Sequence, residues 1–158
     1  MNILVCPNTS IVSGASLVAL DLAAAMHERG HRVIVLAPPG ALVDQLGSSG
    51  IEWIEMPAGD DGSDPEVGER RTLWPSPASI RRIRRVAAAE QVDVVHTYEW
   101  PRCLEAGYGA HLVGAVPLVS SILAVRAPKF LPKTAHIIVG TKELADLMSR
   151  RGFPAVTL

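Results

Sequence analysis

The run Asp93-Val94-Val95-His96-Thr97-Tyr98-Glu99-Trp100-Pro101 ends an apolar segment with an imidazole, a phenol, a carboxylate and an indole. Those side chains suit sugar chemistry. Glu99 can serve as a general base or accept a hydrogen bond from a sugar hydroxyl. Tyr98 and Trp100 can stack on a sugar or acceptor ring. His96 is the candidate catalytic group at the strand end. The competing reading is structural: a strand-end histidine bonded to neighbouring backbone, a solvated glutamate, and aromatics packed beside a proline.

A second candidate stretch is Pro7-Asn8-Thr9-Ser10-Ile11-Val12-Ser13-Gly14-Ala15-Ser16. A dinucleotide fingerprint needs Gly-x-Gly-x-x-Gly at the strand-to-helix turn, and only Gly14 is present. That argues against a small NAD-dependent dehydrogenase. What remains is a helix N-terminus, near Ser13, Gly14, Ala15 and Ser16, whose unpaired N–H groups can receive a phosphate. Alternatively Ser13 or Ser16 caps the helix and Gly14 eases the turn.

Arg81, Arg82, Arg84 and Arg85 cover one arc of a predicted helix, with Ile80, Ile83 and Val86 on the opposite arc. This is either a solvated helix face or a patch for peripheral contact with anionic lipid headgroups. The net charge of −1 offers no field to attract nucleic acid or a membrane over the whole surface. Cys6 and Cys103 lack the spacing of a zinc site, so reduced thiols are expected and no metal is assigned. No stretch reaches the roughly 18 uncharged apolar residues that a membrane span needs, and the N-terminus has no signal-peptide pattern. The expectation is a cytoplasmic protein.

These groups must be positioned by the alternation around them. Short apolar runs at 2–6, 32–38, 51–57, 92–96, 117–123 and 135–139 read as strands, with a last one at Ala155-Val156-Thr157-Leu158. Helical spacing occupies 15–29, 41–49, 77–90, 102–114 and 141–152. Residues 57–76, rich in acids, glycine and proline, break the rhythm and read as a mobile loop. With 48% hydrophobic and 20% charged residues, the 158 positions suit one globular domain. The fold expected is α/β: a Rossmann-like, doubly wound open parallel sheet of about six to seven strands with helices on both faces. The 51–57 strand should lie at an edge. If the order is 3-2-1-4-5, loops 7–14 and 96–101 flank the crevice where ligands bind in such sheets.

Three stretches in this order, "SGASLVALDLAAAMHERGHRVIVLAP", "QVDVVHTYEW" and "GTKELADLMSRRGF", resemble the N-terminal domain of family 4 glycosyltransferases of the GT-B fold. The resemblance covers nearly the whole chain. It implies a retaining transferase of two Rossmann-like domains, the N-terminal one holding a sugar, lipid or glycan acceptor and the C-terminal one a nucleotide sugar. The donor is then a substrate, with no further cofactor. Gly14 matches the glycine-rich loop that approaches donor phosphate, and His96 matches the histidine ending the fourth strand. The chain departs from the pattern twice. Ser13 precedes Gly14 where a Gly-Gly pair is common, and Leu123 stands near where a histidine commonly reaches the transferred sugar. A hinge and donor domain would follow Leu158, so the chain is expected to be inactive alone and inclined to self-associate through the uncovered cleft face. The alternative is a non-catalytic Rossmann-like binding or interaction module.

Overall fold

The structure is a computed structural model and describes residues 1–9, 11–47, 49–56, 75–123, 131–153 and 156–157. Seven strands form one sheet: β1 (Asn2–Cys6), β2 (Arg32–Ala37), β3 (Glu52–Glu55), β4 (Val94–Tyr98), β5 (Leu118–Ile122), β6 (His136–Val139) and β7 (Val156–Thr157). Their order is β3-β2-β1-β4-β5-β6-β7 and every pairing is parallel. The order expected for the first five strands and the edge position of β3 both hold. Ile3 to Cys6 and Val33 to Ala37 are almost wholly buried, as continuous apolar strands covered on both faces must be.

One face carries α1 (Gly14–Glu28) and α2 (Ala41–Asp44), closing over Ile3, Val5, Val33, Val35 and Tyr98. The other carries α3 (Pro77–Ala89), α4 (Trp100–Ala106) and α6 (Lys142–Arg150), packed on Leu4, Cys6, Ile34, Leu36, Val95 and Ile137. Successive residues of β1, β2 and β4 alternate between these two cores, whereas the buried apolar residues of β5 and β6 belong to the α3–α4–α6 side.

Some boundaries differ from expectation for local reasons. α2 stops at Asp44 instead of running to residue 49. β4 runs to Tyr98, so His96 and Tyr98 sit in the sheet and the connecting turn shrinks to Glu99. The expected 102–114 helix starts at Trp100, with Pro101 in its first turn, where a missing N–H costs nothing. It then widens into a π turn at Gly107–His111 and closes as α5 (Leu112–Gly114). Gly109 lets this segment press against α3: a Cβ there would lie 2.7 Å from the Ile80 carbonyl oxygen. Most of the loop expected to be mobile, residues 57–74, lies outside the described residues.

Candidate functional site

β1 and β4 are neighbours, in register at Val5 with His96 and Cys6 with Thr97. From β1 the chain crosses to β2 through α1 on one face; from β4 it crosses to β5 through α4 on the other. The strand order therefore reverses between them. The loop after β1 and the turn after β4 leave the same end of the sheet at this reversal, the place where open parallel sheets take their ligands.

His96 stands on β4 near this end of the sheet and is buried, 5% exposed. Its Nε2 is 2.9 Å from the Ser121 hydroxyl on β5, and its ring stacks on Tyr98 with centroids 4.7 Å apart. Burial disfavours the imidazolium and pushes the pKa down to about 4. At neutral pH His96 is thus an uncharged donor and acceptor. Tyr98 is 1% exposed, so its ring faces protein and not the crevice. Its hydroxyl is buried without a hydrogen-bond partner among the described residues, and burial raises its pKa.

Glu99 turns the chain. Its φ of 63° is unusual for a residue with a Cβ, and hydrogen bonds of both its backbone and its side chain hold it. Its N–H donates to the Ser121 carbonyl, and its carboxylate accepts from the Leu123 N–H at 3.1 Å. Glu99 therefore ties the end of β4 to the end of β5. Leu123, the residue standing near the family's histidine position, takes part through its backbone. Trp100 is half-buried and packs against the core of the α3–α4 face.

At the first loop, Ser13 and Ser16 form a reciprocal cap: the Ser13 hydroxyl accepts from the Ser16 N–H, and the Ser13 N–H donates to the Ser16 hydroxyl at 2.7 Å. The capping alternative is thus realised. A Cβ at Gly14 would meet nothing within 4 Å, and Gly14 does not have a positive φ. Its backbone and that of Ala15 border open space at the N-terminus of a helix of 15 residues.

A buried ion pair went unread in the sequence. Arg102, 2% exposed, donates from Nη1 to the Glu105 carboxylate at 2.6 Å and to the Ser79 hydroxyl at 3.2 Å, and from Nε to the Pro7 carbonyl at 3.3 Å. The other Glu105 oxygen accepts from the Ser76 N–H. Four segments are thereby fastened beneath the crevice: the loop after β1, both ends of the first turn of α3, and α4. An Arg and a Glu three apart on a helix read as a solvated pair; the signal available was their place directly after a buried strand end. Ser121, partner of His96, was likewise visible only as a polar residue in an apolar run.

Arg81, Arg84 and Arg85 are exposed, whereas Arg82 is half-buried and donates twice to the Glu55 carbonyl. Cys6 and Cys103 are buried free thiols, and burial raises their pKa values to about 12 and about 11. No group of three or more metal-ligating side chains occurs among the described residues. No helix among them is long and apolar enough to cross a membrane.

An open parallel sheet whose strand order reverses at β1–β4, with helices on both faces, defines a Rossmann-like domain. The sequence profile of Glycosyltransferase Family 4 matches residues 12–158, and the chain belongs to that family. Among solved structures it is similar to a glycosyltransferase from Rickettsia africae ESF-5, with a TM-score of 0.64 and 18% identity, over 98% of this chain and 39% of that one. It is also similar to Acinetobacter baumannii MurG, with a TM-score of 0.62 and 18% identity, over 88% of this chain and 41% of that one. The chain thus spans about two fifths of the length of these GT-B glycosyltransferases. No curated protein matches it.

Proposed function

We propose that this domain is the acceptor-side half of a retaining glycosyltransferase that moves a sugar from a nucleotide sugar to an acceptor. The observation that carries the reading is the pairing of an open helix start at Gly14–Ala15 with His96 across one crevice, in a chain of this family. In the reaction the acceptor oxygen forms a bond to the anomeric carbon. The bond from that carbon to the donor phosphate breaks, the nucleoside diphosphate leaves, and the acceptor hydroxyl proton passes to a base.

In this proposal the amides of Gly14 and Ala15 meet the donor diphosphate, because a helix start favours negative charge there. Neutral His96 exchanges hydrogen bonds with hydroxyls of the transferred sugar, and Trp100 borders the acceptor. Glu99 acts by holding the crevice wall, through its carboxylate bond to the Leu123 N–H. Most donor contacts come from a second domain, which also excludes water from the reacting centre. The arginines of α3 supply any peripheral attraction to anionic lipid. The protein works in the cytoplasm, and its uncovered crevice face favours pairing of two copies until the second domain covers it.

One observation favours the rival reading of a non-catalytic binding module: Glu99, the best-placed base, already spends one carboxylate oxygen on the Leu123 N–H. The test is to incubate the 158-residue chain with UDP- and GDP-sugars and sugar, lipid and glycan acceptors. No turnover is expected from this chain alone, with weak saturable acceptor binding retained. Turnover comparable to an intact transferase would refute the half-site reading, and loss of all sugar binding would favour the rival.

A further inference from the structure

Away from the β1–β4 crevice, a cavity of about 420 Å³ opens between the C-terminal end of β3 and the first turns of α3, lined by Glu55, Ala78, Arg81, Arg82 and Arg85. We propose that this cavity is a phosphate site, taking the phosphomonoester group of a hydroxylated ligand such as a phosphorylated sugar or polyol. That this ligand is a sugar acceptor rests on the transferase reading; the phosphate site itself does not.

Charge is the first argument. Three guanidiniums face one carboxylate, a net charge of +2 in one concavity. A phosphomonoester carries about −1.5 to −2 near neutral pH and offers three strong acceptor oxygens. Arg81 and Arg85 are four apart on α3, exposed, and make no side-chain hydrogen bond or ion pair among the described residues. Like charges at that spacing repel, so the helix carries a cost that an anion between them relieves. The first turn of α3 also contains no acidic residue to offset its own partial positive charge.

Preorganisation is the second argument. The Nε and Nη2 atoms of Arg82 both donate to the Glu55 carbonyl, at 3.2 and 2.9 Å, so this guanidinium is fixed as a wall before any ligand arrives. Planar guanidiniums match phosphate in paired hydrogen bonds. The Glu55 carboxylate would repel a bare cluster of anions but accepts hydroxyl protons, which selects a phosphate on a hydroxylated carrier. The volume suits a small ligand of that kind.

Position is the third. The Ser79 hydroxyl, one residue from the cavity lining, is held by Arg102, which also holds the Pro7 carbonyl of the crevice loop. The opposite end of α3, at Glu90, pairs with Arg32 at the far edge of the sheet. The cavity therefore opens on the same edge as the crevice. Arg84 does not line it, which separates the site from a uniformly basic helix face.

The test is titration calorimetry of the chain with glucose 6-phosphate and with glucose, and flotation with phosphatidic acid or phosphatidylcholine vesicles. Glucose 6-phosphate should bind saturably and glucose should not, with affinity falling as salt rises. The R81Q/R85Q double variant, whose changes are at exposed positions, should weaken binding at least about tenfold, the effect of losing one charge-assisted contact. R84Q should stay within about twofold. If phosphatidic acid vesicles alone bind, with the same loss in the double variant, the phosphate comes from a lipid headgroup. Equal losses from R84Q and the double variant, or no binding to glucose 6-phosphate or to phosphatidic acid vesicles, overturns the site. The transferase reading would survive that failure if the Gly14 and His96 region still bound nucleotide sugar.

Discussion

The His96 imidazole makes stability depend on pH in a direction set by its burial. Its folded pKa of about 4 lies below the ordinary 6.5, so the unfolded chain binds a proton more readily. The neutral ring's contribution is complete above about pH 6.5 and is lost as pH falls toward 4. The full shift is worth about 3.4 kcal/mol, of which about 2–3 kcal/mol falls between pH 7 and pH 4.5. Denaturant melts at pH 7 and pH 4.5 should differ by that amount more in the native chain than in His96→Phe; equal pH slopes would contradict the assignment. Tyr98 makes a second case. Its buried hydroxyl has no partner among the described residues, so Tyr98→Phe should leave stability unchanged or raise it by up to about 1 kcal/mol. A loss larger than that in chemical denaturation would mean the hydroxyl is satisfied. The buried thiols of Cys6 and Cys103, with pKa values raised to about 12 and about 11, should resist a thiol reagent at pH 8 and react fully on unfolding. Rapid labelling of the folded chain would be the contrary result.

Among the elements, the join between α3, α4 and the loop after β1 depends on Arg102. Replacing it with methionine keeps much of the volume but leaves Glu105 as an unpaired buried charge. The expected cost is about 3–5 kcal/mol by chemical denaturation, the usual penalty for breaking a buried pair from one side. A change below about 1 kcal/mol would show the cluster to be solvated. This join also marks where sequence reading stopped. Strands β1 and β2 were legible because both their faces are apolar, and α1 because Ser13 and Gly30 bracket a helical period. His96 was legible as a candidate, but its partner Ser121 was not, since that bond joins residues 25 apart across neighbouring strands. Arg102 carries no signal of its burial in the sequence, because burial of a charge depends on what arrives from Pro7 and Ser79, far away in the chain. Likewise the four arginines of α3 read as one arc, and only the packing against β3 divides Arg82 from the rest.

For the whole molecule, the sheet order puts the crevice, the Arg102 join and the arginine cavity on one edge, with the Arg32 ion pairs at the other. In the proposed function, sugar substrates meet this domain at the β1–β4 reversal. The decisive measurement is amide chemical-shift mapping of the isotopically labelled chain with UDP-glucose and GDP-mannose at millimolar concentration. The expected result is perturbation at Ser13–Ala15 and His96–Trp100, diminished by Gly14→Val, a substitution into open space that the fold should accept. Shifts confined to the Arg32 edge or to β6 and β7, or no shifts with either nucleotide sugar, would contradict it.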